Sequence, residues 1–489
     1  MSIGSPVDIA LHSERVERSR ISARAPARGS IAPSLPSRSG EGVDVRLSRA
    51  RVLLPLLLTL PLLSGCGDRA SFPFSAGVGP NPTLPPPHET LFPTVNIAPA
   101  KGWPAGATPI AALDLKVTEY AAGLDHPRWI YVLPNNDVLV AETNAPPKPK
   151  DNTGIRGWIT KLVTRRAGAG VPSANRITLL RGLDAGGAAE SRSIFLEGLN
   201  SPFGMALIGD DLYVADTDAV LRFPYRPGQT RITAPGVRIA DLPAGPINHH
   251  WTKNLIASPD GQRLYVTVGS NSNAGENGLA VEAGRAAIWE IDLRTGRTRM
   301  LASGLRNPNG LGWEPTTGVL WTVVNERDGL GSDLVPDYLT SVRDGGFYGW
   351  PYSYFGPHLD PRVKPPRPDL AARAIVPDYA LGTHVAPLGF AFGRSGALPA
   401  RFTSGGFIGE HGSWNRRPRS GYKVVFVPFA GGRPAGMPSD VLTGFIGADG
   451  DARGRPVGVA LDQHGALLVA DDVGDRVWRV TASRSSAAR

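Results

Sequence analysis

The stretch PRWIYVLPNNDVLVAE (Pro127–Glu142) contains the pattern that decides the fold. A proline opens a short apolar run, a polar turn follows at Asn135 and Asn136, and a second apolar run ends on an acidic residue. Apolar runs of this length between turn residues are typical of β-strands, and no long amphipathic helical stretch stands out in the chain. The stretch therefore predicts two short strands joined by a tight turn.

The same unit recurs along the chain at intervals of about 50 to 80 residues, which leaves room for four short strands in each copy. Six such units predict an all-β fold, a six-bladed β-propeller over residues 113–482. We expect Leu115–Tyr120 and Arg476–Val480, one strand from each end of this region, to close the ring. The further copies begin at Pro202, Thr252, Pro308, Pro387 and Pro456.

The composition agrees with a turn-rich β protein and narrows the classes of partner. The 489 residues include 59 Gly and 46 Pro, which stand mainly between the apolar runs. The formal net charge of +9 comes from interspersed charges of both signs, and part of it lies in the N-terminal segment. Such a surface does not predict binding to nucleic acid.

The N-terminal segment predicts export and lipidation. Residues 1–45 show no periodic pattern of apolar residues. Our hypothesis is that Val43 or Val45 marks an alternative translation start. A basic segment, the apolar run Val52–Leu63 and small residues before Cys66 then resemble a secretory signal with a bacterial lipoprotein box. The run is too short to span a bilayer comfortably. We therefore expect residues 1–66 to be a disordered leader with a signal peptide, and the protein to be periplasmic.

Two further segments are predicted to lie outside the propeller. Residues 67–112 are rich in proline, with Pro85–Pro87 at their centre, and predict an extended tether between a lipid on Cys66 and the domain. Residues 483–489 predict a disordered tail. In this interpretation the protein meets the membrane only through the N-terminal lipid.

Five clusters of polar and glycine residues at the edges of apolar runs carry the candidate chemistry. They offer an imidazole that can act as a base near neutral pH, permanently charged guanidinium groups, and a loop of carboxylates and glycines. Residues far apart in sequence can share one site, because the loops at one end of a propeller converge on the central channel. The clusters are Asn248–Thr252, Gly304–Pro308, Asn325–Gly329, Tyr348–Pro351 and His411–Arg416.

In this order the clusters resemble the glucose/sorbosone dehydrogenase family, and most closely its L-sorbosone dehydrogenase-type proteins, over about residues 113–482. The resemblance implies a propeller that binds pyrroloquinoline quinone (PQQ) and calcium and oxidises an aldose or a related sugar aldehyde. The chain has no haem attachment motif, so a separate electron acceptor, a quinone or a cytochrome, is expected as its partner.

The resemblance also implies roles for single residues. It places the general base on His250, with His249 as its neighbour and competitor, and a catalytic cation on Arg306. An acidic residue is expected near the base where Ser270 stands, so the identity of the sugar does not carry over. Arg417 is the alternative to Arg416, and Arg453 the alternative to Arg455, at two of the cofactor-binding positions. The residues expected to bind the cofactor are Arg306, Asn307, Arg416, Arg455 and Glu142.

The loop that follows Asn325 is expected to bind calcium, which takes six to eight oxygen ligands. Its spacing is not the EF-hand pattern, so this expectation rests on the resemblance. The residues expected around the ion are Gly329 and Leu330 through their carbonyl groups, with Glu326, Asp328 and Asp333 through their carboxylates.

Two other functions compete with sugar oxidation. A calcium-dependent hydrolase such as a lactonase would need a metal held in the central channel by carboxylates from several blades, without an Arg cluster beside it. A propeller that only binds a glycan or a protein would leave His250, Arg306 and Arg455 dispersed.

Cys66→Ser tests the predicted lipid anchor. Without the thiol no acyl group can be attached, so we expect the variant to leave the membrane pellet and appear as a soluble periplasmic species. The measurement is fractionation followed by immunoblotting, and an unchanged membrane fraction would refute the anchor.

Overall fold

The computed structural model describes residues 68–90, 94–147, 166–168 and 170–483. The chain divides into two units, Met1–Pro61 and Leu62–Arg489, and every described residue belongs to the second. The predicted leader, signal peptide and Cys66 therefore lie outside the described residues, as do residues 484–489. None of the helices in the described part combines the length and apolar composition that crossing a bilayer requires.

Six β-sheets are arranged as a β-propeller, which confirms the predicted all-β, six-bladed fold. Each predicted repeat forms the first two strands of one blade, and the first strands of successive blades adjoin one another around the axis. Three strands precede the first repeat: β1 (Val78–Gly79), β2 (Ile110–Ala111) and β3 (Leu115–Ala122).

Blades 1 and 2 are four-stranded antiparallel sheets, and blade 3 has four antiparallel strands with a short parallel fifth strand, from the insertion of blade 4, beside its last one. Blade 1 contains β4 (Pro127–Val132), β5 (Val138–Glu142), β6 (Arg176–Arg181) and β7 (Ser191–Glu197). Blade 2 contains β8 (Met205–Ile208), β9 (Asp211–Ala215), β10 (Ala219–Pro224) and β11 (Val237–Asp241). Blade 3 contains β12 (Leu255–Ala257), β13 (Arg263–Val268), β14 (Ala287–Asp292) and β15 (Thr298–Ser303).

Blade 4 carries an insertion between its third and fourth strands. The blade contains β16 (Asn307–Trp313), β17 (Leu320–Asn325), β18 (Pro336–Ser341) and, after the insertion, β22 (Tyr379–Thr383). The insertion holds β19 (Gly346–Phe347), which pairs in parallel with β15 of blade 3, the hairpin of β20 (Ser353–Tyr354) and β21 (His358–Leu359), and the one-turn helix α1 (Pro368–Ala371).

Blades 5 and 6 complete the ring. Blade 5 contains β23 (Pro387–Phe392), β24 (Gly405–Glu410), β25 (Lys423–Ala430) and β27 (Ser439–Thr443), with β26 (Arg433–Pro434) paired to the end of β25. Blade 6 contains β28 (Pro456–Leu461), β29 (Leu467–Asp471) and β30 (Arg476–Ala482). Its fourth strand is β3, paired antiparallel with β30, so the predicted closure by the two ends of the region is confirmed.

The prediction of a free tether is wrong for residues 68–90 and 94–112, here called the N-terminal strap. Within the strap, β1 adds a fifth strand to blade 4 beside β22, and β2 adds one to blade 5 beside β27. The indole Nε1 of Trp103 donates to Asp471 Oδ2 at 2.6 Å. Proline prevents helix formation here, but it does not prevent an extended chain from docking on strand edges.

Glycine residues allow the first strands of neighbouring blades to approach closely around the axis. A Cβ added at Gly389 in β23 would overlap the carbonyl oxygen of Val457 in β28. A Cβ at Gly310 in β16 would lie 2.6 Å from a backbone nitrogen of β23, and one at Gly458 in β28 would lie 2.8 Å from the Arg128 carbonyl oxygen in β4. Backbone atoms cannot rotate away, so glycine at these positions sets the spacing of the blades.

Aromatic side chains fill the wedge between blades 5 and 6. Phe402, Phe407 and Phe426 contact one another at centroid distances of 4.9 to 5.5 Å. Trp478 on β30 is fully buried in the same cluster. These contacts hold the outer parts of the blades together while the glycines hold the inner parts close.

Gly389→Ala tests the close approach of the first strands. The added methyl group meets the backbone of β28, so we expect the free energy of unfolding to fall by about 1–3 kcal/mol, the usual cost of overpacking. The matched control is Gly77→Ala, because a Cβ there meets its nearest atom at 3.9 Å. Chemical denaturation gives the comparison, and equal stability of the two variants would contradict this account of the spacing.

Candidate functional site

The candidate site lies at the end of the propeller where first strands begin and second strands end. In an antiparallel blade these two points are adjacent, so the residues just before a first strand face the residues just after a second strand. His250, Arg306 and Arg455 stand shortly before β12, β16 and β28. Ser270 and Asp472 stand just after β13 and β29. The repeat therefore brings these side chains to one end of the ring.

His250 is oriented by the backbone of blade 3. Its Nδ1 lies 2.7 Å from the Ser270 carbonyl oxygen and 3.0 Å from Ser270 Oγ. A carbonyl oxygen only accepts hydrogen bonds, so Nδ1 carries the proton and Nε2 keeps its lone pair. Burial and the charge of Arg306 hold the pKa of His250 well below its ordinary value of 6.5. The ring is therefore neutral at pH 7 and has a base nitrogen available.

Gly269 packs His250 and Asn307 tightly against each other. A Cβ added at Gly269 would collide with Asn307 Oδ1 and lie 2.5 Å from the Cβ of His250. Asn307, predicted to bind the cofactor, is buried, and its Oδ1 has no hydrogen-bond partner in the described part of the chain. An acceptor left open beside the imidazole is available to a ligand, since buried polar atoms are normally paired.

Arg306 is held beside Asp328 through Asn273. Its Nη2 donates to Asn273 Oδ1 at 2.9 Å and lies 3.6 Å from Asp328 Oδ2. The side-chain amide of Asn273 in turn donates to the Asp328 carbonyl oxygen at 2.9 Å, and Trp350 Nε1 donates to the Asn273 carbonyl oxygen at 3.0 Å. Asn273 thus connects three of the predicted clusters, although no motif in the sequence singles it out.

Asp328 lies between two cationic neighbours. Burial raises the pKa of its carboxyl group, but His384 and Arg306 outweigh that effect, so the net pKa is below 3.8. Burial lowers the pKa of His384, and its contact with Asp328 at 3.5 Å reverses the balance, so the net pKa is raised. Asn415 Nδ2 donates to Asp328 Oδ1 at 2.8 Å, while Asn415 Oδ1 has no partner among the described residues.

Arg327 anchors the predicted calcium loop to the insertion of blade 4. Its fully buried guanidinium donates to the carbonyl oxygens of Pro351 and Ser353 at 2.9 and 2.7 Å. It also pairs with Glu326 and Asp360 at 3.0 and 3.1 Å. Two of the clusters in the sequence, Asn325–Gly329 and Tyr348–Pro351, are therefore joined by a structural arginine.

Lys253 supports the backbone of the base. Its fully buried Nζ donates to the carbonyl oxygens of Trp251 at 3.2 Å and His250 at 3.5 Å. Both of these acceptors are uncharged carbonyl groups. Burial and the charge of Arg285 lower its pKa from 10.5 to about 7. Sequence reasoning missed this residue, because a lysine at the edge of a strand is usually solvated.

A second cluster lies across blades 1, 5 and 6 around the buried carboxylate of Asp472. Arg128 Nη1 lies 2.6 Å from Asp472 Oδ2, His411 Nε2 lies 2.9 Å from it, and His126 Nε2 lies 3.6 Å from it. Burial raises the pKa of Asp472, but these three neighbours lower it strongly, so the group is ionised. The sequence feature that could have indicated this cluster is the pair of acidic residues Asp471 and Asp472 at the end of the sixth repeat.

Arg455 lies close to this second cluster, since its charge affects both Arg128 and His411. Its guanidinium lies 5.2 Å from the Tyr422 ring and donates to the Ala98 carbonyl oxygen at 3.2 Å, while its Nε has no partner among the described residues. Its rival Arg453 pairs with Asp449 at the surface. The structure therefore favours Arg455 over Arg453 as a ligand-binding cation.

Two residues predicted to bind the cofactor are engaged by the chain itself. Arg416 donates to the Ser332 carbonyl oxygen at 3.0 Å and to Thr383 Oγ1 at 2.8 Å. Glu142 pairs with Arg176 within blade 1 and accepts the Thr178 hydroxyl. Both predictions are corrected, because these side chains hold the loop and the blade and leave few polar atoms for a ligand.

The predicted calcium ligands do not converge. Asp333 accepts from the backbone N–H groups of Ser71 and Phe72 in the strap, Glu326 pairs with Arg327, and the Leu330 carbonyl oxygen accepts the His88 N–H. No group of three or more His, Cys, Asp or Glu in the described part of the chain could hold a metal ion. The expected set of calcium ligands is therefore reduced to Asp328 and Gly329.

Asp328 and Gly329 line a cleft of about 330 Å³ beside Arg306. Asn415, whose Oδ1 is unpaired in the described structure, lies in the same wall. These groups supply only part of a calcium shell, so an ion here needs further oxygens from a cofactor or water. Arg306, Arg455 and Arg128 offer cationic nitrogens that suit an anionic quinone, and the Nε atoms of Arg455 and Arg128 have no partner among the described residues.

The chain is similar to a described protein family and to known proteins. A family model described as TrAA12-like matches residues 175–337 and 370–483, more than half of the chain. An uncharacterised protein of Borreliella burgdorferi is 30% identical over 241 residues, 49% of this chain and 62% of that protein. A PQQ-dependent pyranose dehydrogenase of Coprinopsis cinerea is 42% identical over 57 residues, 12% of this chain and 7% of the enzyme. The chain thus spans less than two thirds of both relatives.

Solved structures share the fold at low sequence identity. The holo PQQ domain of the Coprinopsis cinerea pyranose dehydrogenase superposes with a TM-score of 0.60 at 22% identity, covering 78% of this chain and 98% of that domain. A calcium structure of a Trichoderma reesei protein of carbohydrate-active enzyme family AA12 gives 0.61 at 20% identity, covering 77% and 97%. These matches extend over nearly the whole propeller domain of each protein.

Lys253→Met tests the buried lysine through the pH dependence of stability. The folded pKa of about 7 lies below the unfolded value of 10.5. Between these values the unfolded chain binds the extra proton, so wild-type stability should rise with pH by up to about 1.4 kcal/mol per unit relative to the variant. Denaturation at pH 7 to 10 measures the difference.

The matched control for this experiment is Lys116→Met, since Lys116 is exposed on β3. Its stability should follow the wild-type pH dependence. Parallel pH profiles for wild type and Lys253→Met would contradict a lysine that is neutral in the folded protein.

Proposed function

Because the chain belongs to the TrAA12-like family, we propose that it is a quinoprotein that oxidises a sugar or a sugar aldehyde with PQQ and calcium. The resemblance predicted from the motifs is confirmed at the level of the family. The observation that carries the proposal is the pairing of a neutral, oriented imidazole, His250, with the guanidinium of Arg306 at the open end of the propeller.

His250 acts as the general base of the reaction. Its Nε2 accepts the proton of the sugar hydroxyl while the Ser270 carbonyl oxygen holds Nδ1 and fixes the ring. The acid that the family resemblance leads one to expect beside the base is replaced by this neutral carbonyl contact. Burial and the charge of Arg306 hold the imidazole pKa low and outweigh the opposite effect of the carbonyl contact, so the base stays unprotonated at neutral pH.

The bound quinone would supply the hydride acceptor for the sugar carbon. Arg306 places a permanent positive charge beside the base. There it stabilises the negative charge that develops on the sugar oxygen as its proton leaves. Asn273 and Asp328 keep that guanidinium in place. Asn307 offers its unpaired Oδ1 from the other side of Gly269. Arg455 and Arg128 supply further positive charge for the carboxylates of the cofactor.

The proposed calcium site receives fewer ligands from the chain than calcium requires. Asp328 carries a full negative charge and, with Gly329, lines the cleft beside Arg306. Calcium prefers carboxylate and carbonyl oxygens, and a cation in this position would draw charge from a neighbouring quinone. Two residues of the chain cannot fill the shell, so the ion and the cofactor are expected to bind together.

The arrangement argues against the two rival functions. A hydrolase of the lactonase type requires side-chain carboxylates from several blades around one metal, and the described residues contain no such group. A binding propeller would leave His250 and Arg306 apart, whereas the charge of Arg306 lowers the pKa of His250, so the two side chains lie close together. The site instead has the base and the cation that oxidation of a hydroxyl group needs.

We further propose that the protein is held in the periplasm by a lipid on Cys66 and passes its electrons to a separate quinone or cytochrome. Cys66 precedes Asp68 by two residues in the sequence. Asp68 lines the cleft. A lipid on Cys66 would therefore keep the cleft close to the membrane, where a membrane-bound carrier could collect the electrons.

His250→Ala tests the proposed function. Purified protein is loaded with PQQ and calcium, and dye reduction is followed with a panel of aldoses and sugar aldehydes. Loss of the base should cut turnover by about 10²–10⁴-fold while the affinity for PQQ stays near the wild-type value. Arg306→Ala should weaken both, because Arg306 touches the cofactor and the developing charge.

His249→Ala is the matched control and should change turnover little. Near-normal turnover in His250→Ala with loss in His249→Ala would move the base by one residue. If the wild-type protein reduces no dye with any sugar in the presence of PQQ and calcium, the proposal of a sugar dehydrogenase is wrong.

A further inference from the structure

The N-terminal strap is fastened to two of the loops that build the site. The Asp68 carboxylate accepts the backbone N–H of Ser332, and the Leu330 carbonyl oxygen accepts the backbone N–H of His88 at 3.0 Å. Asn96 donates from its backbone to the Trp414 carbonyl oxygen at 2.7 Å. The strap therefore touches both the loop after β17 and the loop after β24.

Two side chains of the strap form part of the cleft wall. Asp68 and His88 line the cleft together with Asn273, Asp328, Trp414 and Asn415 of the propeller. His88 Nδ1 lies 3.0 Å from Asp68 Oδ1, and the imidazole is largely exposed. Both members of this hydrogen-bonded pair thus belong to the strap, and the exposed imidazole lines the cleft.

The chemistry of the wall fits a neutral polyhydroxyl ligand. Trp414 is 41% exposed, which is unusual for an indole, and it offers an apolar ring face to the C–H face of a sugar. Asp68, His88 and Asn415 offer hydrogen-bond acceptors and donors to hydroxyl groups. A cleft of about 330 Å³ is within the usual range for small-molecule sites.

We propose that the N-terminal strap supplies the outer wall of the sugar subsite, with the His88–Asp68 pair binding hydroxyl groups of a pyranose whose face stacks on Trp414. The inference rests on the proposed function, because it assigns the substrate to the cleft that adjoins Arg306. It also explains why a proline-rich segment is folded back over the ring: the substrate site is incomplete without it. His88, Asp68 and Trp414 are positioning residues for substrate and have no part in the proton or hydride transfer.

The test uses the full chain loaded with PQQ and calcium, and the variants His88→Ala and Trp414→Ala. Each should raise the KM for the best sugar by about tenfold, with a much smaller change in kcat, because each removes a contact made equally to substrate and transition state. Trp414→Phe should recover most of the affinity, since a phenyl ring retains the stacking face.

The matched control is Glu89→Ala, which changes an exposed residue of the same strap next to His88 that does not line the cleft. Its KM and kcat should equal those of the wild type. The melting temperature of each variant and its titration with PQQ are measured in parallel. Unchanged KM in His88→Ala and Trp414→Ala, or a loss of PQQ affinity in place of sugar affinity, would overturn the inference.

Direct binding separates this inference from the proposed function. Ligand-observed NMR with the same sugar panel, on protein without PQQ, should show binding to the wild type and weaker binding to the two cleft variants. Binding that is equal in wild type and variants, or absent for every sugar, would refute the subsite. Binding that depends on Trp414 without any dye reduction would support the subsite and refute only the oxidation chemistry.

Discussion

The close approach of first strands around the axis is the constraint on which the rest of the structure depends. Gly310, Gly389 and Gly458 each occupy a position where a side chain would meet the backbone of the next blade. Because the blades can come together at this radius, the residues that flank their first and second strands reach one end of a single channel. A wider ring would separate His250 on blade 3 from the groups of blade 4 that set its pKa.

At that end of the channel the electrostatic arrangement is built around buried carboxylates that are already paired. Asp328 is paired with Arg306 and His384, and Asp472 is paired with Arg128 and His411. Their pairing fixes cationic groups that would otherwise be free to move, and a low-dielectric environment makes these contacts strong. The base is treated differently: a neutral carbonyl group orients His250, while burial and the charge of Arg306 lower its pKa, so its nitrogen stays unprotonated at the pH at which the cations are charged.

The strap changes the meaning of the proline-rich segment. Its composition is that of a flexible linker, and nothing in it follows the repeat. In the structure its polar groups pair with the loops that follow β17 and β24, and two short strands of it extend blades 4 and 5. The strap is thereby part of the wall of the cleft, although it lies outside the repeats.

The sequence by itself determined the number of blades, the strands that close the ring, the family, and the positions of His250, Arg306 and Asp328. It could do so because these depend on local patterns, namely apolar runs between turns and polar residues at fixed distances from them. Only the tertiary structure decided what each polar group faces. Arg416, Glu142 and Asp333 resemble ligands in the sequence, but each is bound by the chain, whereas Asn273, Lys253 and His88 carry no local signal. Hydrogen-bond partners and burial arise from segments that are distant along the chain, and a local pattern cannot encode which of them meet.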